Sequence, residues 1–226
     1  MVGVLLFIYC IFFAWGSLGL WFQNRLLRKT YRSVKVKNEE LLSKVESTSI
    51  DCYDFFSRFL VGYYVHLKMT VDERVSLYLH DSNRFLCIAR YSGNEVYRRK
   101  PSKIYEIDKG CLSKAWERNK FQDSESPDPD SDNEAYTQYQ VDNFGYSQEQ
   151  LSEMRMKSRS YNGIRIKNPS NESIAVLLFE STRPSGLPFG KIDRLINLDE
   201  QRRLGALINS LEVHMPKLAN AEQEGF

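Results

Sequence analysis

Two spacings of apolar residues run through the chain, and together they predict its secondary structure. Alternating or continuously apolar runs predict strands at residues 74–80, 85–91, 104–107, 161–166 and 174–179. The first two flank a turn at residues 81–83 and predict a hairpin, while the strongly apolar last run is typical of a central strand. Helical spacing appears at residues 109–118 and again in a final group formed by Leu204, Leu207, Ile208 and Leu211.

A polar, acidic stretch separates the two groups of strands. Acidic residues recur through residues 123–134 and are interrupted by Pro127 and Pro129, which predicts a long loop. Residues 148–157 are expected to add a short helix. The order of helix, three strands, helix, loop, two strands and helix predicts an α/β (α+β) sandwich on an antiparallel sheet, within residues 51–216.

The N-terminal segment has the length of a membrane span. Residues 2–22 carry no charge, and at about 1.5 Å per residue they cover about 30 Å of hydrocarbon. Basic residues follow from Arg25 to Lys37, which favours a cytoplasmic location for the rest of the chain. A cleavable signal peptide is the alternative, but no Lys or Arg precedes the apolar run. We therefore expect a transmembrane helix at 1–24, in contact with membrane lipid, in a single-pass plasma-membrane protein whose N-terminus is outside.

A seven-residue repeat follows the basic residues. It places Leu27, Val34 and Leu41 at one seam position and extends as far as Phe59. The repeat predicts a coiled-coil linker at residues 25–50 and a homo-oligomer. The alternative for the part after Asp51 is an amphipathic helix packed on its own domain. Residues 217–226 are expected to form a flexible tail.

Composition and charge argue against several functions. The net charge is +2, and the basic stretch lies beside an apolar segment, which favours lipid headgroups over nucleic acid. The four cysteines form no CxxC pair, and the three histidines suggest neither a nucleophilic triad nor a metal site. The acidic run lacks the calcium-loop pattern. We expect a protein that is not an enzyme and binds no metal or nucleic acid, and the cofactor is left open.

Three segments, in this order, resemble a GAF domain. They are the hairpin at 74–91, the Asp-Lys-Gly step that leads into a helix at 105–117, and the strands at 160–166 and 174–183. The resemblance implies a central antiparallel sheet with helices on one face and a small-molecule pocket on the other, closed by a loop like 121–158. GAF domains bind many ligands, so the fold does not name one.

The resemblance also suggests pocket residues. By position these are Tyr91, Tyr105, Trp116, Tyr136, Tyr161, Arg165 and Glu180. Arg165 stands between two isoleucines in a strand and is expected on the opposite face from them. The sequence therefore predicts a membrane-anchored sensor that binds a small molecule or a protein partner. One alternative is a membrane effector that oligomerises and disrupts the bilayer. Another is a scaffold without a ligand, in which Tyr136, Tyr139 and Phe144 fill the cavity.

Overall fold

A computed structural model describes residues 25, 27–29, 31–32, 34–37, 51–101 and 104–215. The expected membrane span at residues 2–22 and the tail from residue 217 lie outside these residues. Within the described part of the chain, no helix is both long enough and apolar enough to cross a membrane. The chain divides into two compact units, residues 1–49 and residues 50–226.

In the first unit, the described residues between 25 and 37 are helical. Leu27, Tyr31 and Val34 occupy the predicted seam and are 66%, 72% and 60% exposed. These side chains are thus available at the spacing that a coiled coil requires, and the pairing itself stays a prediction.

The second unit is built on one six-stranded antiparallel sheet in the order β3-β2-β1-β6-β5-β4. Its strands are β1 (Glu73–Asp81), β2 (Arg84–Ser92), β3 (Tyr105–Glu106), β4 (Lys120–Asp123), β5 (Ser160–Lys167) and β6 (Ser173–Ser181). Its helices are α1 (Cys52–His66), α2 (Glu95–Arg98), α3 (Gly110–Arg118), α4 (Asn133–Phe144), α5 (Gln148–Ser152), α6 (Phe189–Leu195) and α7 (Leu198–Ser210). The predicted antiparallel α+β architecture is confirmed.

The predicted hairpin is formed by β1 and β2. Ser82 and Asn83 make the turn and have positive φ angles of 48° and 67°. Two successive residues with positive φ match the right-handed twist of the flanking strands, which favours this connection. The turn also sets the register that decides which side chains of β1 share a face.

Helices pack against both faces of the sheet, which corrects the expectation of one helical face. Alternation along β1 sends Val75 and Leu77 to a face covered by α1, α6 and α7. Tyr78 points to the opposite face, where α3 and α4 contribute Ala115 and Phe144. The second face is therefore only partly open, and any site there lies between the sheet and these helices.

The stretch 121–158 is not one long loop as expected. It contains β4, α4 and α5, and α4 begins where the side chain of Asp132 accepts a hydrogen bond from the backbone N–H of Ala135. Tyr136, Gln140 and Phe144 recur every fourth residue and form the buried side of α4. That spacing was present in the sequence, but the surrounding polar residues obscured it. The helix expected at 148–157 is shorter and ends at Ser152.

The seven-residue repeat does not continue as one helix into the domain. Asp51 is extended and caps the start of α1 by accepting a hydrogen bond from the N–H of Asp54 at 3.0 Å. Cys52, Phe56 and Leu60 then lie buried in the domain core. The alternative interpretation, a helix packed on its own domain, is confirmed for the residues after Asp51.

A buried carboxylate at the start of β1 predicts a pH-dependent stability. The side chain of Glu73 is 2% exposed and accepts hydrogen bonds from Arg183 at 2.6 Å, Thr70 Oγ1 at 2.8 Å and Ser181 at 3.1 Å. Burial by itself would raise the pKa of Glu73, but the bonds from Arg183 and Thr70 outweigh it and hold that pKa below its ordinary value of 4.5. The ionised carboxylate therefore stabilises the fold above pH 4.5 and loses this effect as the pH falls through the lowered pKa.

Replacing Glu73 with Gln should lower the free energy of unfolding by about 1–3 kcal/mol at pH 7, because several donors lose a charged acceptor. Urea unfolding at pH 7 and at acidic pH measures the difference, which should shrink on acidification. Asp72→Asn is the matched control, because Asp72 pairs with the same arginine but is 41% exposed, and its effect should stay under about 1 kcal/mol. A pH-independent loss in Glu73→Gln would contradict the assignment.

Candidate ligand cavity

The second face of the sheet carries a cavity of about 370 Å³. Side chains from β1, β2 and β6 form its floor, α3 forms one side, and the residues after α5 form another. The polar and charged lining residues are Arg74, Tyr78, Arg90, Tyr105, Tyr146, Glu153, Arg155, Ser158, Tyr161 and Glu180. Pockets of this size hold small organic molecules, so the cavity is a candidate binding site.

An ion pair crosses the cavity floor. Arg74 and Glu180 are directly opposite each other on β1 and β6, and Arg74 Nη2 lies 2.7 Å from Glu180 Oε2. The two side chains are 11% and 8% exposed. The other carboxylate oxygen of Glu180 accepts a hydrogen bond from the Ser158 hydroxyl at 3.2 Å. Both oxygens of Glu180 are thus already engaged.

A second arginine is held by hydroxyl groups. Arg90 is 6% exposed, and its Nε donates to the Ser76 hydroxyl at 3.1 Å while Nη2 donates to the Tyr78 hydroxyl at 2.8 Å. Longer contacts of 3.5 Å reach the Tyr105 hydroxyl and the carbonyl of Arg99. The guanidinium is therefore fixed in position at the cavity by neutral partners.

Tyrosines and a serine make the wall opposite Arg90. The Tyr161 hydroxyl donates to the carbonyl of Ser158 at 2.8 Å, and the Tyr136 hydroxyl reaches the same carbonyl at 3.4 Å. Burial raises the pKa of Tyr161 well above its ordinary value, so this hydroxyl keeps its proton. These bonds hold the segment after α5 against the sheet.

One glycine is required for the cavity wall. Gly110 opens α3 with a φ of +74°, and a Cβ added there would lie 2.1 Å from the Tyr146 hydroxyl oxygen. A side chain at residue 110 would therefore be strained and would also displace Tyr146. The Asp-Lys-Gly step found in the sequence thus has a local structural reason.

The cavity brings together three of the predicted site residues, Tyr105, Tyr161 and Glu180. Tyr91 lies elsewhere, packed edge-on against Tyr64 with ring centroids 4.9 Å apart. Trp116 stacks on the ring of His80 with ring centroids 4.1 Å apart. The hydroxyl of Tyr136 contacts the carbonyl of the lining residue Ser158. These positions do not line the cavity.

The sequence analysis did not identify Arg74, Arg90 and Tyr78 as cavity residues. Arg74 and Tyr78 have the same parity along β1, so both point away from the face that holds Val75 and Leu77. Polar residues at every second position of a strand that is otherwise buried were the available signal. The signal was ambiguous because a solvent-exposed face has the same pattern.

Arg165 lies outside the cavity and holds the end of α3. It does point away from Ile164 and Ile166, as expected. Its Nη1 donates to the carbonyl of Trp116 at 2.6 Å, and its Nη2 donates to the side chain of Asn119. Asn119 ends α3 with a positive φ of 67°, so Arg165 satisfies a helix terminus.

Replacing Arg165 with Ala should therefore lower the free energy of unfolding by about 1–3 kcal/mol, because a helix-terminal carbonyl loses a charged donor. Ligand affinity in the cavity should change little. Thermal unfolding and ligand titration of the same samples measure the two effects. Lys167→Ala is a suitable control, since its amine donates to the exposed Asn171 side chain at 3.1 Å. Loss of affinity with unchanged stability would reverse the assignment.

The aromatic residues of α4 do not fill the cavity. Tyr136 and Phe144 are buried at 2% and 3% exposure, and Tyr139 packs beside them while its hydroxyl donates to Asp123 at 2.7 Å. The cavity of about 370 Å³ is present with these rings in place. The alternative in which Tyr136, Tyr139 and Phe144 fill the cavity is therefore wrong.

The cavity's thiol is unsuited to nucleophilic chemistry. Cys111 is a lining residue at the start of α3, and burial raises the pKa of its thiol well above the ordinary value. A protonated thiol is a poor nucleophile and a poor metal ligand. In the part of the chain that the structure describes, no group of His, Cys, Asp or Glu side chains is arranged to hold a metal ion.

Comparison with known proteins finds similarity at the level of structure. The chain is similar to the GAF domain of a phosphoenolpyruvate-protein phosphotransferase from Coxiella burnetii, with 13% identity, 79% of this chain and 94% of that chain covered, and a TM-score of 0.49. For the corresponding domain from Acinetobacter, the identity is 12%, 80% of this chain and 96% of that chain are covered, and the TM-score is 0.47. The chain is also similar to a type II free methionine-R-sulfoxide reductase from Thermoplasma acidophilum, with 9% identity, 70% of this chain and 93% of that chain covered, and a TM-score of 0.46.

No family model and no curated protein matches the sequence. The antiparallel sheet and the cavity on one of its faces are features that the resemblance to GAF domains implies. Likenesses at such low identity concern the fold alone.

Proposed function

We propose that the GAF-like domain is the sensing part of a regulatory protein and binds a small molecule in the cavity on the second face of its sheet. The observation that carries the proposal is the cavity itself, which is lined by buried charged and hydroxyl groups rather than by apolar side chains alone. Burying such groups is costly unless they are paired, and a fold that only needed a core would fill the space with apolar residues.

Placement of the polar groups supports a binding role over a purely structural one. Arg74, Arg90 and Glu180 project from three neighbouring strands into the same space, where their backbones are fixed by the sheet. A few convergent polar groups on a rigid scaffold are typical of small-molecule sites, because they orient the ligand without reorganisation. The nearby segment after α5 gives ligand binding a route to altered helix packing.

A cavity-filling variant tests the proposal. Leu178 lines the cavity from β6 and is 4% exposed, so Leu178→Phe should occupy space that a ligand needs. The full-length wild type should gain thermal stability from at least one compound in a library of small polar metabolites. At a ligand concentration a hundred times the Kd, the gain is about 2.7 kcal/mol, or roughly 5–10 °C.

Leu178→Phe should lose that gain while remaining folded by circular dichroism. The matched control is Val213→Phe, because residue 213 is 88% exposed and lies outside the cavity, and it should respond as the wild type does. If a compound stabilised the wild type and Leu178→Phe equally, it would bind at a site other than this cavity. A library with no stabilising compound would contradict the sensor function.

The proposed output passes through the N-terminal unit. Residues 2–22 form the membrane anchor in this proposal, and the exposed seam of Leu27, Tyr31 and Val34 pairs two copies on the cytoplasmic side. Membrane fractionation of the full-length chain checks the anchor. Sedimentation in detergent, compared between the wild type and a Leu27→Asp/Val34→Asp variant, checks self-association, and a wild type that stays monomeric would contradict it.

A further inference from the structure

Among the residues that the structure describes, no carboxylate bonds the guanidinium of Arg90 at the cavity. Its hydrogen bonds end on the hydroxyls of Ser76, Tyr78 and Tyr105 and on one backbone carbonyl, all of them neutral. Among the ion pairs of the described residues, none includes Arg90. Arginine does not lose its proton in proteins, so a full positive charge is buried here whose direct hydrogen-bond partners are all neutral.

The nearest carboxylate is bonded to other groups. Glu180 lies on the same floor and attracts Arg90 electrostatically, but its oxygens bond Arg74 and Ser158 instead of Arg90. Over the described lining residues, three arginines (Arg74, Arg90 and Arg155) face two glutamates (Glu153 and Glu180), which leaves one excess positive charge. An anion entering the cavity would supply the missing charge.

Two hydroxyls next to Arg90 are set to donate. The Tyr78 oxygen accepts from Arg90, so its own proton stays available for donation to another acceptor, and the same holds for the Tyr105 oxygen at the longer distance. Burial raises the pKa of Tyr78 well above its ordinary value, so this tyrosine remains a neutral donor. Both hydroxyls belong to residues that line the cavity.

We propose that the ligand carries an oxyanion, a carboxylate or a phosphate, which binds against Arg90 and accepts hydrogen bonds from the hydroxyls of Tyr78 and Tyr105. This inference rests on the proposed small-molecule function and specifies the chemical class of the ligand. The geometry suits an oxyanion because charge-assisted donors and neutral donors converge from adjacent strands. Arg74 does not contact the ligand in this arrangement and instead forms the ion pair with Glu180.

The test uses acetate and phosphate as probes on the full-length protein, with chloride at equal ionic strength as the reference. Calorimetric titration of the wild type should detect binding of at least one probe, and the better probe identifies the ligand group as a carboxylate or a phosphate. Arg90→Met should weaken that binding at least roughly tenfold, and Tyr105→Phe should weaken it by roughly two- to tenfold. Arg202→Gln is the control, since Arg202 is 72% exposed and does not line the cavity, and it should bind as the wild type does.

Tyr105→Phe decides the matter if Arg90→Met does not fold, because it removes one hydroxyl from a half-buried edge residue. Binding that is the same in Tyr105→Phe and the wild type, or no binding beyond chloride, would overturn the oxyanion proposal. If uncharged compounds stabilise the wild type but not Leu178→Phe while neither probe binds, the sensor function stands and only the ligand class is wrong. If no compound of any kind distinguishes those two proteins, both proposals fail.

Discussion

Replacing Gly205 with Ala should lower the free energy of unfolding by about 3 kcal/mol, because there is no room for a methyl group where α7 crosses β5. A Cβ at residue 205 would lie 1.8 Å from the carbonyl oxygen of Lys167 and 2.9 Å from its carbonyl carbon. Both atoms belong to the backbone, so no side-chain rotation relieves the contact. Either α7 or the end of β5 has to move, and Leu204 and Ile208 then lose their packing on the sheet.

The expected fall in melting temperature is roughly 6–12 °C for a domain of this size. Gly62→Ala is the matched control, because Gly62 lies inside α1 and a Cβ there meets nothing within 4 Å. That substitution should raise stability by about 0.5–1 kcal/mol through helix propensity alone. Similar melting temperatures for the two variants would show that the α7–β5 contact is not as close as described.

Replacing Glu180 with Gln should cost about 3–5 kcal/mol of stability, because it leaves the largely buried Arg74 without its counter-charge. The amide retains the size of the carboxylate and can still accept a hydrogen bond from Ser158, so the effect isolates the charge. Arg90 on the same floor adds a second unpaired guanidinium, which increases the repulsion within the cavity.

A double variant separates the ion pair from simple packing. Arg74→Met/Glu180→Leu removes both charges and should recover most of the stability lost in Glu180→Gln, since replacing a buried ion pair by apolar groups is often nearly neutral. Arg202→Gln provides the exposed comparison, because its ion pair with Asp199 spans 3.8 Å and its effect should be under about 1 kcal/mol. A double variant less stable than Glu180→Gln would mean that the residues act through shape instead of charge.

Secondary structure was the part of the fold that local patterns predicted well. The alternation in β1 and β2, the turn at Ser82 and Asn83, and the apolar run of β6 are properties of neighbouring residues, and each was found where it was expected. The failure at α4 has the same origin. Its buried side consists of Tyr136, Gln140 and Phe144, and a stripe that contains a glutamine and a tyrosine among polar neighbours resembles a polar loop.

The candidate site was predicted less well. The position of a residue in the family pattern and its alternation along a strand indicate which face it lies on, but they do not indicate which distant side chains it will contact. The cavity is lined by Tyr105, Tyr161 and Glu180, as predicted. Arg165 instead donates hydrogen bonds to Trp116 and Asn119 at the end of α3. Nothing local to residue 165 indicates that a helix terminus forty or more residues away will lie beside it. The role of Arg90 depends equally on Ser76 and Tyr78 of the neighbouring strand.

By itself the sequence determined five of the six described strands, their hairpin and the antiparallel α+β class, because backbone preference and apolar spacing act over a few residues. Tertiary structure alone decided that the cavity persists beside the rings of α4 and that Arg90 lies there with neutral hydroxyl groups as its hydrogen-bond partners. A buried charge is defined by everything that surrounds it, and those groups come from strands and helices far apart in the chain.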